Sequence, residues 1–167
     1  VPSKDKVMVG IDLSGLELRC LAHYMYPYDK GQYAKEILEG DIHTANQKAA
    51  GLSTRAEAKT FIYALIYGAG ALRMGQIIGK GAKDGALIKK KFLTATPALS
   101  DLISAVQKES VKGFLYGLDR RKIKIRSKHS SLNALLQNCG AVLCKQFLVE
   151  FNKLLIANKL SDKANQV

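Results

Sequence analysis

The sequence has 167 residues, of which 47% are hydrophobic and 24% are charged, and this size and composition favour one compact domain with its own core. It has no apolar run of roughly eighteen residues and no charged-then-apolar leader, so we expect neither a membrane span nor secretion. Lys and Arg outnumber Asp and Glu by 26 to 14, which favours a polyanionic partner such as nucleic acid, although a basic surface can also serve solubility alone.

The first predicted element is a strand. The apolar, β-branched run from Val7 to Ile11 is followed by Asp12, a pattern that predicts a buried strand whose end presents a carboxylate. Ser14 and Gly15 then turn the chain. Apolar residues recur at helical spacing from Leu16 until Pro27 and the cluster at 28–31 interrupt them, so the chain begins as strand, turn and helix.

Helices dominate the centre of the chain. Asp41 is a good N-cap for a helix that runs through Ala50 and is stopped by Gly51. Ser53 or Thr54 caps the next helix, from residue 55 to about residue 67. Further helices are predicted at 72–78, 84–93 and 99–111.

The last third of the chain contains one predicted strand and one long helix. Ile alternates with Lys or Arg in 117–126, which predicts a half-buried strand with a basic face formed by Lys122, Lys124, Arg126 and Lys128. Ser130 or Ser131 caps a helix that extends to about residue 158. We find no repeat or linker, so the expected fold is a single α+β unit in which helix dominates.

The three cysteines show no disulfide pattern. Cys20, Cys139 and Cys144 form neither a CxxC pair nor an even disulfide set, and they are predicted to be small buried hydrophobic residues in a reducing cytosol.

Asp12 is the first candidate for chemistry. Phosphoryl transfer needs a carboxylate on a rigid element to hold a divalent cation against phosphate oxygens, and the end of a strand suits that role. Taken alone, such an Asp is more often a turn former or a helix cap. Its neighbours change this interpretation, because Asp12-Leu13-Ser14-Gly15-Leu16-Glu17-Leu18-Arg19, followed by Leu21-Ala22-His23, resembles the first catalytic motif of family A DNA polymerases and especially that of the phage replicative branch.

A second motif lies on the predicted helix that begins at Arg55. Steps of four residues advance about 40° around a helix, so Arg55, Lys59, Tyr63 and Tyr67 form one polar stripe, with Phe61 and Leu65 on the opposite face. Two cations and two aromatic rings suit a nucleoside triphosphate. A solvated amphipathic face with tyrosines at its rim is the alternative. Segment 54–70 resembles the fingers helix of the same polymerase family.

Two more segments resemble the family. In Gly40-Asp41-Ile42-His43-Thr44 the position of His43 corresponds to a histidine that approaches the incoming triphosphate, whereas an isolated His at a helix start is usually a cap or packing residue. Segment 117–141 resembles the stretch that lines the minor groove of the primer-template. The resemblance implies that Arg121, Asn133 and Gln137 contact the duplex there, and a solvated charge run remains the alternative for the basic strand.

The resemblance implies template-directed DNA synthesis from deoxynucleoside triphosphates. Asp12 and the Leu13 carbonyl would hold Mg²⁺, of which the complete enzyme uses two ions. The nucleotide would contact Ser14, Glu17, His43, Arg55, Lys59, Tyr63 and Tyr67, with Lys59 also placed to protonate pyrophosphate and Glu17 to exclude a ribose 2′ hydroxyl. The resemblance also implies a partial palm at 1–50, helical fingers at 51–112, a return to the palm at 113–167, and action in the cytoplasm of a bacterium or phage-infected cell.

The family's third motif, His-Asp-Glu, does not occur before Val167. Its Asp is the other main metal ligand, so we expect the chain to need further polymerase segments, in cis or in trans, and to have no activity alone. A non-catalytic DNA- or nucleotide-binding fragment is the alternative function. One departure from the family is Arg120, which stands where related sequences usually have a turn Gly.

Overall fold

A computed structural model describes residues 6–164, and in these residues a helix-dominated α+β fold is found, as the sequence predicts. The elements in chain order are α1 (Leu16–Asp29), α2 (Gln32–Glu39), α3 (Ile42–Ala50), α4 (Arg55–Ile66), α5 (Ala71–Ile77), α6 (Ala82–Ala95), α7 (Pro97–Glu109), β1 (Phe114–Tyr116), β2 (Lys122–Lys124) and α8 (Ser131–Ala157). Short 3₁₀ turns at Ser110–Lys112 and Lys128–Ser130 flank the strands.

The core lies between α1, the buried face of α4, α6, α7 and the first half of α8. Phe61 of α4 meets Phe92 of α6 edge to face, with ring centroids 5.3 Å apart, and both side chains are fully buried. The other large side chains that are fully buried are Leu21, Ile62, Ile66, Met74, Leu99 and Leu136. The core therefore holds one face of α4 in place and leaves its opposite face to solvent.

Local signals place α3 and α4 as predicted. The Asp41 side chain accepts hydrogen bonds from the backbone N–H groups of His43 and Thr44, and Gly51 ends α3 in the left-handed conformation. Thr54 caps α4 in a capping box with Glu57. These caps satisfy N–H groups that lack partners within the helix, which explains why both helices begin where they do.

The region around Pro27 differs from expectation. Helix α1 continues through Pro27 and ends two residues later, at Asp29, since proline removes only its own N–H donor and its fixed φ is compatible with a helix. The polar cluster at 28–31 also supports the start of the next helix. The Asp29 carboxylate accepts from the backbone N–H groups of Gly31 and Tyr33, at 2.8 Å each, and so supports the start of the unpredicted helix α2.

The predicted strand before Asp12 is wrong. Residues 6–13 form neither helix nor strand, and the exposed fractions of Val7, Val9 and Ile11 are 86%, 77% and 61%. A β-branched run favours an extended backbone, but a strand also needs a neighbour to accept its hydrogen bonds. Among residues 6–164, no segment pairs with this run.

The basic strand is shorter than predicted and forms half of a hairpin. β1 and β2 pair antiparallel with Leu115 opposite Ile123, and the residues between them form the turn. The alternation is confirmed, since Ile123 and Ile125 pack against the core while Lys122, Lys124 and Arg126 are exposed.

The two halves of helix α8 differ in burial. Its first half buries Leu132, Leu135, Leu136 and Cys139, whereas Leu143, Val149, Leu154 and Ile156 in its second half are exposed. Cys144 is also exposed, which corrects the prediction that all three cysteines are buried. Among residues 6–164, no helix combines the length and apolarity that crossing a bilayer requires.

Candidate functional site

The predicted stripe on α4 exists and faces outward. Arg55, Lys59 and Tyr67 are exposed and Tyr63 is partly buried, while Phe61 and Leu65 on the opposite face are 1% and 5% exposed. The four stripe residues therefore share the solvent side of a helix whose other side is anchored in the core.

Asp41 joins the start of α3 to the start of α4. Its Oδ2 accepts from Arg55 Nε at 2.7 Å and its Oδ1 accepts from Arg55 Nη2 at 3.1 Å, so the contact is bidentate. Hydrogen bonds from Arg55 and then Thr44 hold the pKa of the Asp41 carboxyl well below its usual range. The pair holds the Arg55 guanidinium close to His43.

His43 lies on α3 beside the stripe. Its ring centroid is 6.4 Å from that of Tyr63, and its Nδ1 has no hydrogen-bond partner in the described part of the chain. Burial, followed by the positive charge of Arg55, lowers the pKa of His43, and Lys59 acts in the same direction. The neutral form of the imidazole is therefore favoured, although the nearby Asp41 carboxylate opposes the effect of the two cations on the pKa of His43.

Glu17 of α1 lies at the other end of the stripe, next to Tyr67. Tyr67 donates a hydrogen bond from its hydroxyl to Glu17 Oε1 at 3.2 Å, and the Gln137 side chain of α8 lies near the same hydroxyl. Burial, followed by the Glu17 charge, raises the pKa of Tyr63. Helices α1, α3, α4 and α8 thus contribute side chains to one surface.

The carboxylate and backbone positions before α1 are less organised. Asp12 is exposed and has no hydrogen-bond or ion-pair partner within residues 6–164. The Leu13 carbonyl accepts from Leu16 N–H at 3.3 Å, and the Ser14 carbonyl accepts from Arg19 Nε at 2.9 Å. These two bonds secure the turn, but they leave the Asp12 side chain without support.

The donor atoms present here are of the type that a hard divalent cation binds, but they are too few. Asp12 and the Leu13 carbonyl are oxygen donors, which Mg²⁺ prefers, yet the cation needs six ligands in octahedral geometry. Across residues 6–164, no group of three His, Cys, Asp or Glu side chains could hold an ion. The described residues therefore supply at most part of a magnesium site.

The predicted duplex-contacting residues lie on the hairpin turn and on α8. Arg121 is exposed and forms an ion pair with Asp119. Asn133 is partly buried and Gln137 is exposed on the first half of α8. Arg120 adopts the left-handed conformation, with φ 62°, so it takes the backbone geometry that glycine usually supplies in such a turn.

Two partners in this region could not be found from the sequence. Asp41 was predicted as a cap, and nothing in the pattern indicates that it also binds a side chain fourteen residues later. Gln137 was predicted to contact DNA, and its closeness to the Tyr67 hydroxyl depends on how α8 packs in the fold. Neither contact has a signal in local spacing.

A surface cleft of about 520 Å³ lies elsewhere, between α5, α6 and α7. Its lining includes Lys89, Lys90 and Ser100 and none of the predicted site residues. The candidate site is therefore an open surface rather than an enclosed pocket.

Comparison with known proteins shows the family of this chain. The sequence profile described as DNA polymerase family A matches residues 1–167, and the chain belongs to that family. The DNA-directed DNA polymerases of Enterobacteria phage T3 and Escherichia phage T7 are each 46% identical to it over 96% of its length. That of Escherichia phage Phieco32 is 38% identical over 96% of the chain.

The fold is also that of a solved polymerase domain. The POL domain of Pol1 from M. smegmatis, in complex with DNA primer-template and dNTP, superposes with a TM-score of 0.75 at 19% identity and covers 90% of this chain and 30% of that one. The chain spans about a quarter of the length of the T3 and T7 polymerases that it matches.

Proposed function

We propose that this chain forms the nucleotide-binding part of a template-directed DNA polymerase, which transfers a nucleotide from a deoxynucleoside triphosphate to a primer 3′ hydroxyl. The observation that supports this most is the convergence of Glu17, His43 and the α4 stripe from three helices onto one surface. Family membership supports the same conclusion.

The triphosphate would lie along the first half of the stripe. Arg55 supplies a planar fork of donors and Lys59 a mobile positive charge, and the two suit phosphate oxygens in different ways. His43 adds a neutral donor. Its buried Nδ1 has no acceptor, so the ring proton is better carried by Nε2, which can donate to phosphate. Lys59 would in addition deliver a proton to the leaving pyrophosphate.

The sugar and base would lie along the second half. Tyr63 offers an aromatic face, and Tyr67 holds the Glu17 carboxylate by a hydrogen bond. A carboxylate held in this way would exclude a ribose 2′ hydroxyl by its bulk, which favours deoxynucleotides. Gln137, which lies near the Tyr67 hydroxyl, would link this region to the helix that would contact the duplex.

The part of the site where the reaction takes place would lie at the start of α1. Asp12 and the Leu13 carbonyl would hold Mg²⁺, and Ser14 would lie beside the nucleotide. Two bound magnesium ions supply neutralisation of charge at the attacking hydroxyl and at the leaving group. The described residues provide only part of the required ligands, so this end would be completed by other polymerase segments.

Primer-template DNA would contact the opposite side of the nucleotide. We place Arg121, Asn133 and Gln137 against the minor groove, where such side chains hold the duplex without reading its sequence. In this assignment residues 1–50 belong to the palm, 51–112 to the fingers and 113–167 to the palm again.

Primer extension tests the proposal directly. Extension with Mg²⁺ is measured for the chain alone and for the chain mixed with a polypeptide that supplies the family's His-Asp-Glu segment. We expect extension in the mixture only, and we expect Asp12→Ala to abolish it. Extension by the unaided chain would show that the described residues suffice.

A non-catalytic DNA- or nucleotide-binding fragment is the second candidate, and the unsupported position of Asp12 favours it. Binding of dNTP that Lys59→Ala weakens, together with no extension in any mixture, would establish this alternative. Loss of extension but not of binding in Asp12→Ala would exclude it.

A further inference from the structure

We propose that Asp41 is a positioning residue for Arg55, and that its carboxylate holds one edge of the guanidinium so that the other edge faces a phosphate. This inference rests on the nucleotide site proposed above. It assigns to Asp41 a role beyond that of a helix cap, since the same carboxylate contacts two helices.

The contact uses one edge of the guanidinium. A guanidinium carries five N–H donors in a rigid fork and can bind two anions bidentately, one at the Nε and Nη2 edge and one at the Nη1 and Nη2 edge. Asp41 binds through Nε at 2.7 Å and Nη2 at 3.1 Å. No described residue accepts from Nη1, so the second edge remains available to a ligand.

Asp41 is itself anchored, which makes it a fixed support. Its Oδ1 accepts from His43 N–H at 3.1 Å and from Thr44 N–H at 3.4 Å, and its Oδ2 accepts from the Thr44 hydroxyl at 2.8 Å. The carboxylate therefore belongs to the first turn of α3. Because His43 lies in that same turn, Asp41 fixes Arg55 relative to the second phosphate donor as well as relative to α4.

Comparison with Lys59 shows what the contact between Asp41 and Arg55 contributes. It lies one helical turn after Arg55, is exposed, and has no carboxylate partner within residues 6–164. An ammonium on a flexible stem can follow a phosphate as a point charge, whereas a planar fork is effective only in the right orientation. A fixed support therefore benefits Arg55 more than it would benefit Lys59.

A double-mutant cycle with inorganic tripolyphosphate tests the role. Asp41→Asn is the informative variant, because asparagine is also a good N-cap and preserves the start of α3 while the bidentate grip is lost. Calorimetric binding of tripolyphosphate is measured for the natural chain, Asp41→Asn, Arg55→Ala and the double variant. Asp29→Asn, which removes the same charge at the start of α2, is the matched control.

We expect Asp41→Asn to weaken binding by about threefold to tenfold when Arg55 is present. In the Arg55→Ala background the same change should not weaken binding, since it then only removes a nearby negative charge. Asp29→Asn should leave binding within about twofold of the natural chain. Tighter binding of equal size in both backgrounds would mean that Asp41 acts through charge alone, and the proposal would fall.

Two further measurements separate positioning from folding. Asp41→Asn should melt close to the natural chain, and the NMR signal of the Arg55 Nε–H, assigned by its absence in Arg55→Ala, should shift or broaden in Asp41→Asn. If Asp41→Asn unfolds, Arg55→Lys serves instead, since lysine keeps the charge and loses the fork. We expect a similar loss of affinity, and unchanged affinity would overturn the proposal.

The outcomes also separate this inference from the proposed function. If Arg55→Ala and Lys59→Ala leave tripolyphosphate binding unchanged, the nucleotide site itself is wrong. If those variants weaken binding but Asp41→Asn does not, the site stands and only the role of Asp41 is refuted.

Discussion

The α4 stripe and the segment that carries Asp12 differ in how the rest of the chain supports them, although both carry predicted site residues. Helix α4 is capped at its start by Thr54 and anchored in the core by Phe61 and Ile62. Residues 6–13 form no helix or strand and expose their apolar side chains. The predicted nucleotide-binding residues are therefore held by contacts within residues 6–164, whereas Asp12, the predicted metal ligand, is not.

Truncation of one apolar side chain in each region should give the largest difference in stability between the two regions. Phe61→Ala leaves a cavity beside Phe92 and should lower the free energy of unfolding by about 3–5 kcal/mol, while Ile11→Ala should change it by less than about 0.5 kcal/mol. Urea unfolding monitored by circular dichroism gives both values. A large loss for Ile11→Ala would mean that the segment is packed in solution.

Adding a methyl group at a glycine gives the next largest contrast. Gly68 has φ 79°, and a Cβ there would lie 2.7 Å from the His129 carbonyl oxygen, so Gly68→Ala should destabilise the chain by about 2 kcal/mol. Gly10, two residues before Asp12, has nothing within 4 Å, and Gly10→Ala is the matched control with little expected change. Equal melting temperatures for the two variants would contradict the close approach at Gly68.

A substitution in the hairpin turn should stabilise the chain rather than destabilise it. Arg120 adopts φ 62°, a conformation that glycine reaches at little cost, so Arg120→Gly should stabilise the chain by about 0.5–1 kcal/mol. Thermal unfolding measures the gain. Lys122→Gly, in β2, should instead destabilise, and a loss at both positions would show that Arg120 is not strained.

The smallest effect concerns pH and His43. Burial lowers the pKa of His43 in the folded chain, so the unfolded chain binds more protons as the pH falls below the ordinary histidine value. This contribution to stability is complete above that value and is lost progressively below it. His43→Asn should flatten this part of the pH profile of the unfolding free energy, and an unchanged slope would show that other groups cause it.

Local chemistry accounts for what was predicted correctly. The caps Asp41 and Thr54, the stop at Gly51 and the four-residue spacing of the stripe act within one or two helical turns, so their effects can be read from neighbouring residues. The alternation around Ile123 has the same local character. The family is confirmed, and the site residues that its motifs imply stay predictions.

The strand before Asp12, the second half of α8 and the grip of Asp41 on Arg55 needed the tertiary structure. A strand forms only when a partner accepts its hydrogen bonds, and an apolar stretch is buried only when another surface covers it, so neither outcome follows from composition. Local sequence patterns were enough to predict the helices other than α2 and the polar face of α4. The packing of α1, α3, α4 and α8 decided which of those side chains meet, because residues distant in the chain come into contact only through the core.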